Sequence, residues 1–173
     1  MFAILKDGAV TQTASSVQKM FSYTVPEGAG FSSMSEFMEN KGVFGVANGE
    51  RKHDQYYFVT QGDITLVDGI PTQQYTSTAK EISDKTDEDG ITSYGLKTNK
   101  TDEVKQTANS FLTKTDWMVI RKYERDVVIP DATVTYRAAV ITECARLEAA
   151  IAGAADVDAL ETVMGAQNWP AES

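Results

Sequence analysis

The stretch Ile129-Pro130-Asp131-Ala132-Thr133-Val134-Thr135-Tyr136-Arg137 decides how the second half of the chain folds. Proline fits the first turn of a helix but not its interior, so Pro130 ends one segment and starts the next. Beyond it, apolar residues recur at helical spacing as far as Gly153. They are Val134, Ala138, Val140, Ile141, Cys144, Ala145, Leu147 and Ile151. The pattern predicts one long helix with a broad apolar face over 131–153.

Shorter helices are predicted on both sides of this one. Downstream, Asp156 can cap a final helix that ends at Gly165. Upstream, two helices in tandem are expected, because one apolar face ends near Leu112 and a new short helix with Trp117 and Ile120 begins after Thr115. The apolar positions of the flanking helices are Val104, Ala108, Phe111 and Leu112 before Pro130, and Val157, Leu160, Val163 and Met164 after it. Residues 99–173 are therefore predicted to form a small helical domain.

The segment 79–98 differs in character from this helical region. Its stretch from Lys80 to Gly90 is dense in charge and short of apolar anchors, which predicts a linker or a solvated loop and places a domain boundary there. Its carboxylates could also be imagined as a calcium loop, but their spacing does not match the alternating ligand positions of an EF-hand. A solvated linker is the favoured interpretation of Asp84, Asp87, Glu88 and Asp89.

Residues 1–78 carry the signals of a small antiparallel sheet. Asp7-Gly8 and Asp68-Gly69 each lie between two runs of strand-forming residues, and Asp-Gly tolerates the positive φ of tight hairpin turns. Further strands are predicted over 55–60 and, more weakly, over 43–46. Ser33-Met34-Ser35-Glu36 matches a capping box, so one helix is expected to cover a face of the sheet. The predicted fold is α+β: a β-rich domain over 1–78, a charged linker over 79–98 and a helical domain over 99–173.

Charge and hydropathy restrict the partners. The chain has 25 acidic and 16 basic residues, a formal charge of -9, so its field repels phosphate backbones and nucleic acid is a poor candidate partner. No run approaches the roughly 18 apolar residues of a membrane span, so no membrane partner is predicted. Met1 to Gly8 lacks the basic start and long apolar region of a signal peptide. We expect the chain to stay in the cytoplasm or to leave it within a larger assembly.

Residues suited to catalysis are sparse. His53 is the single histidine and lies in a polar turn, where a solvated loop residue is the favoured interpretation. No Gly-x-Ser-x-Gly nucleophile motif and no glycine-rich phosphate loop occurs. Cys144 is the single cysteine, at an inward helical position where a thiol behaves as a small apolar residue. We therefore predict no enzymatic activity, no catalytic residues, no cofactor and no metal.

The aromatic cluster Tyr56-Tyr57-Phe58 is the candidate for partner binding. Strand alternation places Tyr56 and Phe58 on one face and Tyr57 on the other, so one face would show an aromatic side chain to a partner. Ordinary core packing is the alternative, since large apolar residues mostly serve cores. Edge strands of such a sheet could also accept a partner strand.

The second half resembles the C-terminal region of phage and prophage tail-fibre assembly proteins and related small tail proteins. The resemblance spans roughly residues 100–170. Its motifs here are Ala108-Asn109-Ser110-Phe111-Leu112, Thr115-Asp116-Trp117, Ile129-Pro130, Tyr136-Arg137 and Asn168-Trp169-Pro170. It implies a scaffold in which Trp117, Tyr136 and Trp169 staple three helical segments together.

The same resemblance implies a role in protein contact. The chain would bind a tail-fibre or baseplate component, either as a resident of the virion tail or as an assembly chaperone in the host cytoplasm. A homo-oligomer would suit a symmetric tail. The alternative from another class is a carbohydrate-binding module or a polysaccharide hydrolase of a phage tail that uses acidic residues, which would need two carboxylates converging in a cleft.

Overall fold

The computed structural model describes residues 1–171, and the last two residues of the predicted helical domain lie outside them. The chain divides into two compact units, Met1–Thr78 and Ala79–Ser173. The first unit carries the larger sheets, one α-helix and two short 3₁₀ helices, Val17–Met20 and Glu27–Ala29, and the second carries three α-helices and a small hairpin. This arrangement confirms the predicted α+β class.

Two three-stranded sheets form the first unit, where the sequence predicted one. Strands β1 (Phe2–Lys6), β2 (Ala9–Ala14) and β3 (Val43–Gly45) make an antiparallel sheet in the order β2-β1-β3. Strands β4 (Ala47–Asn48), β5 (Tyr57–Val67) and β6 (Ile70–Ala79) make a second in the order β4-β6-β5, with β4 parallel to β6. The chain leaves the first sheet at Val46, whose N–H donates to the Met1 carbonyl at 3.0 Å.

Both predicted Asp-Gly hairpins are confirmed. Asp7 and Gly8 have φ of 51° and 75°, and Asp68 and Gly69 have φ of 50° and 79°. Two successive residues in the left-handed region form the turn whose twist matches that of the flanking strands. These turns join β1 to β2 and β5 to β6.

The capping box at Ser33 begins the predicted covering helix, α1 (Met34–Asn40). The Ser33 hydroxyl accepts from the Glu36 N–H at 3.2 Å, and the Glu36 carboxylate accepts from the Ser32 hydroxyl at 2.8 Å. The helix directs the fully buried Phe37 into the core of the first unit. Its ring packs edge-on against Phe21 and Phe31, with centroids 4.9 and 5.5 Å away.

The charged segment 79–98 belongs to the second unit and is not a separate linker between the units, while its residues 83–94 are exposed, as expected of a solvated loop. It contains a two-stranded hairpin, β7 (Lys85–Thr86) and β8 (Thr92–Ser93). One carboxylate oxygen of Asp84 accepts from the Gly95 N–H at 2.7 Å and from the Thr98 hydroxyl at 2.8 Å. Asp84 thereby satisfies donors at the N-terminus of the next helix.

Three helices complete the second unit: α2 (Leu96–Arg125), α3 (Asp131–Gly153) and α4 (Val157–Gly165). The prediction of two helices in tandem before Pro130 is wrong, since α2 is continuous. Thr115 does not cap a new helix, because its hydroxyl bonds back to the Leu112 carbonyl at 3.1 Å. The Asp156 cap of α4 is confirmed, with its carboxylate accepting from the Ala159 N–H at 2.8 Å.

The apolar face predicted for α3 is only partly covered. Val140, Leu147 and Ile151 are fully buried, as are Val104 of α2 and Leu160 of α4. The companion stripe on the same helix is exposed to solvent: Val134, Ala138, Ile141 and Ala145. Within residues 1–171, no helix has the length and apolar character to cross a bilayer.

Candidate functional site

The aromatic cluster at residues 56–58 is mostly internal. Tyr56 and Tyr57 are buried, whereas Phe58 keeps 64% of its surface exposed. The predicted alternation is wrong because β5 begins only at Tyr57. Tyr56 belongs to the preceding turn, in which its N–H donates to the His53 carbonyl at 2.9 Å. Of the three predicted contact residues, Phe58 alone offers a large accessible surface.

Phe58 lies near the base of a long β-hairpin, which we call the β-arm and define as residues 57–79. Its strand β5 has 11 residues and lies at the edge of its sheet. At about 3.3 Å per residue, this strand spans about 36 Å. Val67 and Ile70, which flank the Asp68-Gly69 turn, are both exposed. The β-arm therefore presents apolar side chains near its base and at its tip.

A buried amide holds the register of the β-arm. The Gln73 side chain is 4% exposed, and its Nε2 donates to the Gly62 carbonyl at 2.6 Å. Its Oε1 accepts from Gln61 Nε2 at 2.7 Å, so β6 is tied to β5 by side chain as well as by backbone. The Gln73 carbonyl accepts from the Gly49 N–H at 3.0 Å. A buried amide with satisfied partners favours this one register over alternatives.

Two of the three residues predicted as staples lie in the helical core. Tyr136 is buried with Ala108 and Val140, and Trp169 packs against this cluster. The Trp169 ring lies 5.5 Å from that of Phe111, and its Nε1 donates to Gln167 Oε1 at 2.8 Å. These contacts hold the C-terminal segment on the α2–α3 pair.

Trp117 does not staple the helices together. Its side chain is 51% exposed on α2, and the Arg121 guanidinium stacks over its ring at 4.8 Å. The reason is the continuity of α2: without a break at Thr115, the helical repeat turns Trp117 away from the face that carries Ala108 and Thr115. The residue that braces the two helices here is Arg137, which donates to the Leu112 carbonyl at 2.8 Å and to the Thr115 hydroxyl at 2.6 Å.

One side of the α2–α3 pair is marked by ion pairs between the two helices. Arg137 of α3 pairs with Asp116 of α2 at 2.9 Å, and Lys105 of α2 pairs with Glu148 of α3 at 3.5 Å. Residues three, four or seven positions from a marker share its side of the helix. On α2, Ile120 and Tyr123 come four and seven positions after Asp116. On α3, Val134, Ile141 and Ala145 have this spacing from Arg137 or Glu148, and Ala138 lies among them.

We call this surface the open face, formed by Ile120 and Tyr123 of α2 with Val134, Ala138, Ile141 and Ala145 of α3. All six residues are exposed, and Tyr123 is 93% exposed. The opposite side of α3 is covered by the end of the chain. There, buried Glu143 accepts from the Asn168 N–H at 2.7 Å, and Arg146 donates to the Ala166 carbonyl at 2.9 Å. The open face is thus an apolar surface that α4 leaves uncovered.

Glu143 and Arg146 form a clamp that sequence reasoning missed. Two hydrogen bonds of 2.7 Å join the carboxylate to the guanidinium. The bond from Arg146, helped by the Asn168 N–H, lowers the pKa of Glu143 against the opposing effect of burial. A general acid needs the reverse shift, so this carboxylate serves structure. The i, i+3 spacing of Glu143 and Arg146 was visible, but the backbone groups 20 or more residues away were not.

The residues weighed for chemistry have structural partners. His53 accepts from the Gln55 N–H through Nδ1 at 3.2 Å, within its turn. One carboxylate oxygen of Asp87 accepts from the Asp89 and Ile91 N–H groups, which closes the β7–β8 turn. Burial and the neighbouring Glu148 raise the pKa of the Cys144 thiol. In the described part of the chain, no three His, Cys, Asp or Glu side chains are placed to hold a metal ion.

In the described part of the chain, the open face groups exposed apolar side chains together, whereas the β-arm carries them at two separate places, Phe58 near its base and Val67 with Ile70 at its tip. Contiguous patches of exposed apolar residues mark contact surfaces more often than singly scattered exposed residues do. No protein-family model, curated protein or solved structure matches the chain.

Proposed function

We propose that this chain is a structural or assembly protein of a phage tail that binds a tail-fibre or baseplate protein through its β-arm. A protein partner is proposed because the chain exposes apolar side chains that can form a contact surface. A phage tail is proposed because residues 100–170 resemble tail-fibre assembly proteins. No catalytic step is part of it.

The observation that carries the proposal is the exposure of the β-arm. Phe58 near its base and Val67 and Ile70 at its tip are all exposed, on a strand pair that Gln73 holds in one register. A preorganised arm loses little conformational entropy when it binds, so its apolar side chains can contribute to affinity. Its outer strand β5 lies at a sheet edge, a position at which a partner can add a strand.

The partner test is co-expression with any tail-fibre and baseplate proteins that the neighbouring genes encode, and then affinity capture. We expect the wild-type chain to retain one of these proteins. A double variant, Val67→Asp with Ile70→Asp, should reduce retention at least about tenfold, because two charges would have to be buried against the partner. Ile91→Asp is the matched control, since Ile91 is exposed on the β7–β8 turn and lies outside both apolar surfaces.

Retention of no tail protein by the wild-type chain would contradict the proposal, as would equal retention by the double variant. The two versions of the role are separated by mass spectrometry of purified particles. A resident protein is found in mature virions in fixed proportion to the fibre. An assembly chaperone is found bound to the fibre in lysates but is absent from finished particles.

A further inference from the structure

The open face has the pattern of a helix seam. Val134, Ala138, Ile141 and Ala145 succeed one another at intervals of four, three and four residues, the spacing at which helices pack side by side in coiled coils and bundles. Small residues alternate with branched ones along this row. The alanines let a neighbouring helix approach closely, while Val134 and Ile141 can insert beside it. A second seam on a helix already packed on one side indicates a further helical neighbour.

The size of the open face suits an interface. Its large side chains, with Trp117 three positions before Ile120 on α2, expose on the order of 450 Å² of apolar surface, taking roughly 60–120 Å² for an aliphatic and 150–250 Å² for an aromatic side chain. The largest apolar patch of an ordinary monomer is about 300–600 Å², and each partner in a standard interface buries about 800 Å² in all. The open face and a polar rim would together reach that area.

The charge distribution favours a second copy as the occupant. Residues 114–145 contain five basic and five acidic residues and are neutral overall. The remaining 11 basic and 20 acidic residues carry the whole charge of -9. Two copies that met through other surfaces would bring acidic regions together. Two copies that meet through the segment that forms the open face have no net charge repulsion there. This segment also carries both basic and acidic side chains, which can pair across a two-fold axis.

We propose that two copies of this chain pair open face to open face, so that their α2–α3 hairpins form a four-helix bundle. This geometry buries Ile120, Tyr123 and Ile141 of each copy at the centre of the bundle. The interface uses residues of the second unit alone, so the inference goes beyond the proposed tail function.

The experiment is sedimentation equilibrium of the full chain over a range of concentrations. One chain is 18.9 kDa, and the wild type should sediment at about twice that mass. Ile141→Asp should sediment as a monomer, because the interface would have to bury two carboxylates. Ile91→Asp is the matched control: Ile91 and Ile141 are 64% and 56% exposed, but Ile91 lies outside the open face. It should remain a dimer.

Circular dichroism checks that each variant is folded, and Tyr123→Ser supplies a second substitution on the open face without a charge. Three outcomes would each overturn the inference. They are a wild-type chain that stays monomeric at about 100 μM, a wild-type chain with the mass of a trimer, and Ile141→Asp and Tyr123→Ser variants that remain dimeric. Fibre capture by monomeric Ile141→Asp separates the two proposals. Loss of dimerisation with retained capture supports both, while a wild-type dimer that captures no tail protein rejects the proposed function alone.

Discussion

Replacing Trp117 with alanine tests whether the most conspicuous aromatic residue of the helical unit belongs to its core. Trp117 is 51% exposed, so about half of its side chain, on the order of 100 Å², leaves an apolar contact when it is truncated. At about 25 cal/mol per Å² this costs roughly 2.5 kcal/mol. Loss of the stacked Arg121 adds about 0.5–1 kcal/mol, typical of an exposed cation–π contact.

Two effects reduce that cost. The alanine keeps part of the contact, and its higher helix propensity returns about 0.5 kcal/mol. The net destabilisation should therefore be about 1–2 kcal/mol. Leu147→Ala is the comparison, because Leu147 is fully buried and truncation there leaves a cavity, which costs about 3–5 kcal/mol.

The assay is urea unfolding monitored by far-ultraviolet circular dichroism, with both substitutions made in the Ile141→Asp background so that self-association does not contribute. The expected order is a cost for Leu147→Ala at least twice that for Trp117→Ala. Equal costs of 3 kcal/mol or more would refute the reasoning. That result would mean that Trp117 is a core staple after all.

Two further predictions concern the second unit. Glu143→Gln should cost about 1–3 kcal/mol at pH 7, because Arg146 and the Asn168 N–H lose a charged acceptor; Glu148→Gln is the control at a more exposed site. Because the pKa of Glu143 is lower in the folded chain than the value of about 4.3 expected in the unfolded chain, its carboxylate stabilises the fold at pH values above about 4.3. This contribution disappears as the pH falls through the folded pKa, so the cost of Glu143→Gln, measured by urea unfolding, should shrink from pH 7 towards pH 3. An unchanged cost would contradict the role of the clamp. Gly95→Ala should destabilise the fold by about 1–3 kcal/mol, because the added methyl would lie 2.4 Å from the Ser83 carbonyl carbon. Gly153→Ala is the control: its methyl meets no atom within 4 Å, so it should be neutral or stabilising. Equal shifts in melting temperature for the two variants would show that residues 79–95 do not pack as described.

Local signals in the sequence predicted the parts of the fold that depend on a few neighbouring residues. The Asp68-Gly69 turn, the Ser33 cap and the Asp156 cap each involve groups within four positions of one another and occur as expected, except that Glu36 bonds back to Ser32 where the capping box predicts Ser33. Such contacts form wherever the segment lies in the fold. Their residue types therefore identify them without knowledge of the tertiary structure.

The errors arise where distant groups decide the outcome. Asp84 lies in the exposed charge run that the sequence predicted, but its carboxylate also accepts hydrogen bonds from Gly95 and Thr98, 11 and 14 residues away, which local signals do not show. The apolar residues of α3 predicted burial without showing that α2 and α4 leave the Ile141 side uncovered. Periodicity counts apolar positions on a helix, whereas the number of neighbours decides how many of them are buried.

The five-residue connection between α2 and α3 has a consequence for how the chain acquires its structure. Residues that meet across this connection are close in sequence, so bringing them together requires the closure of only a short loop. In the first unit, β1 pairs with β3, which lies about 40 residues later in the chain, so this pairing requires the closure of a much longer loop. Contacts of low sequence separation form faster. The helical unit, although it is synthesised after the first unit, is therefore the part that can reach its native topology with the shortest search.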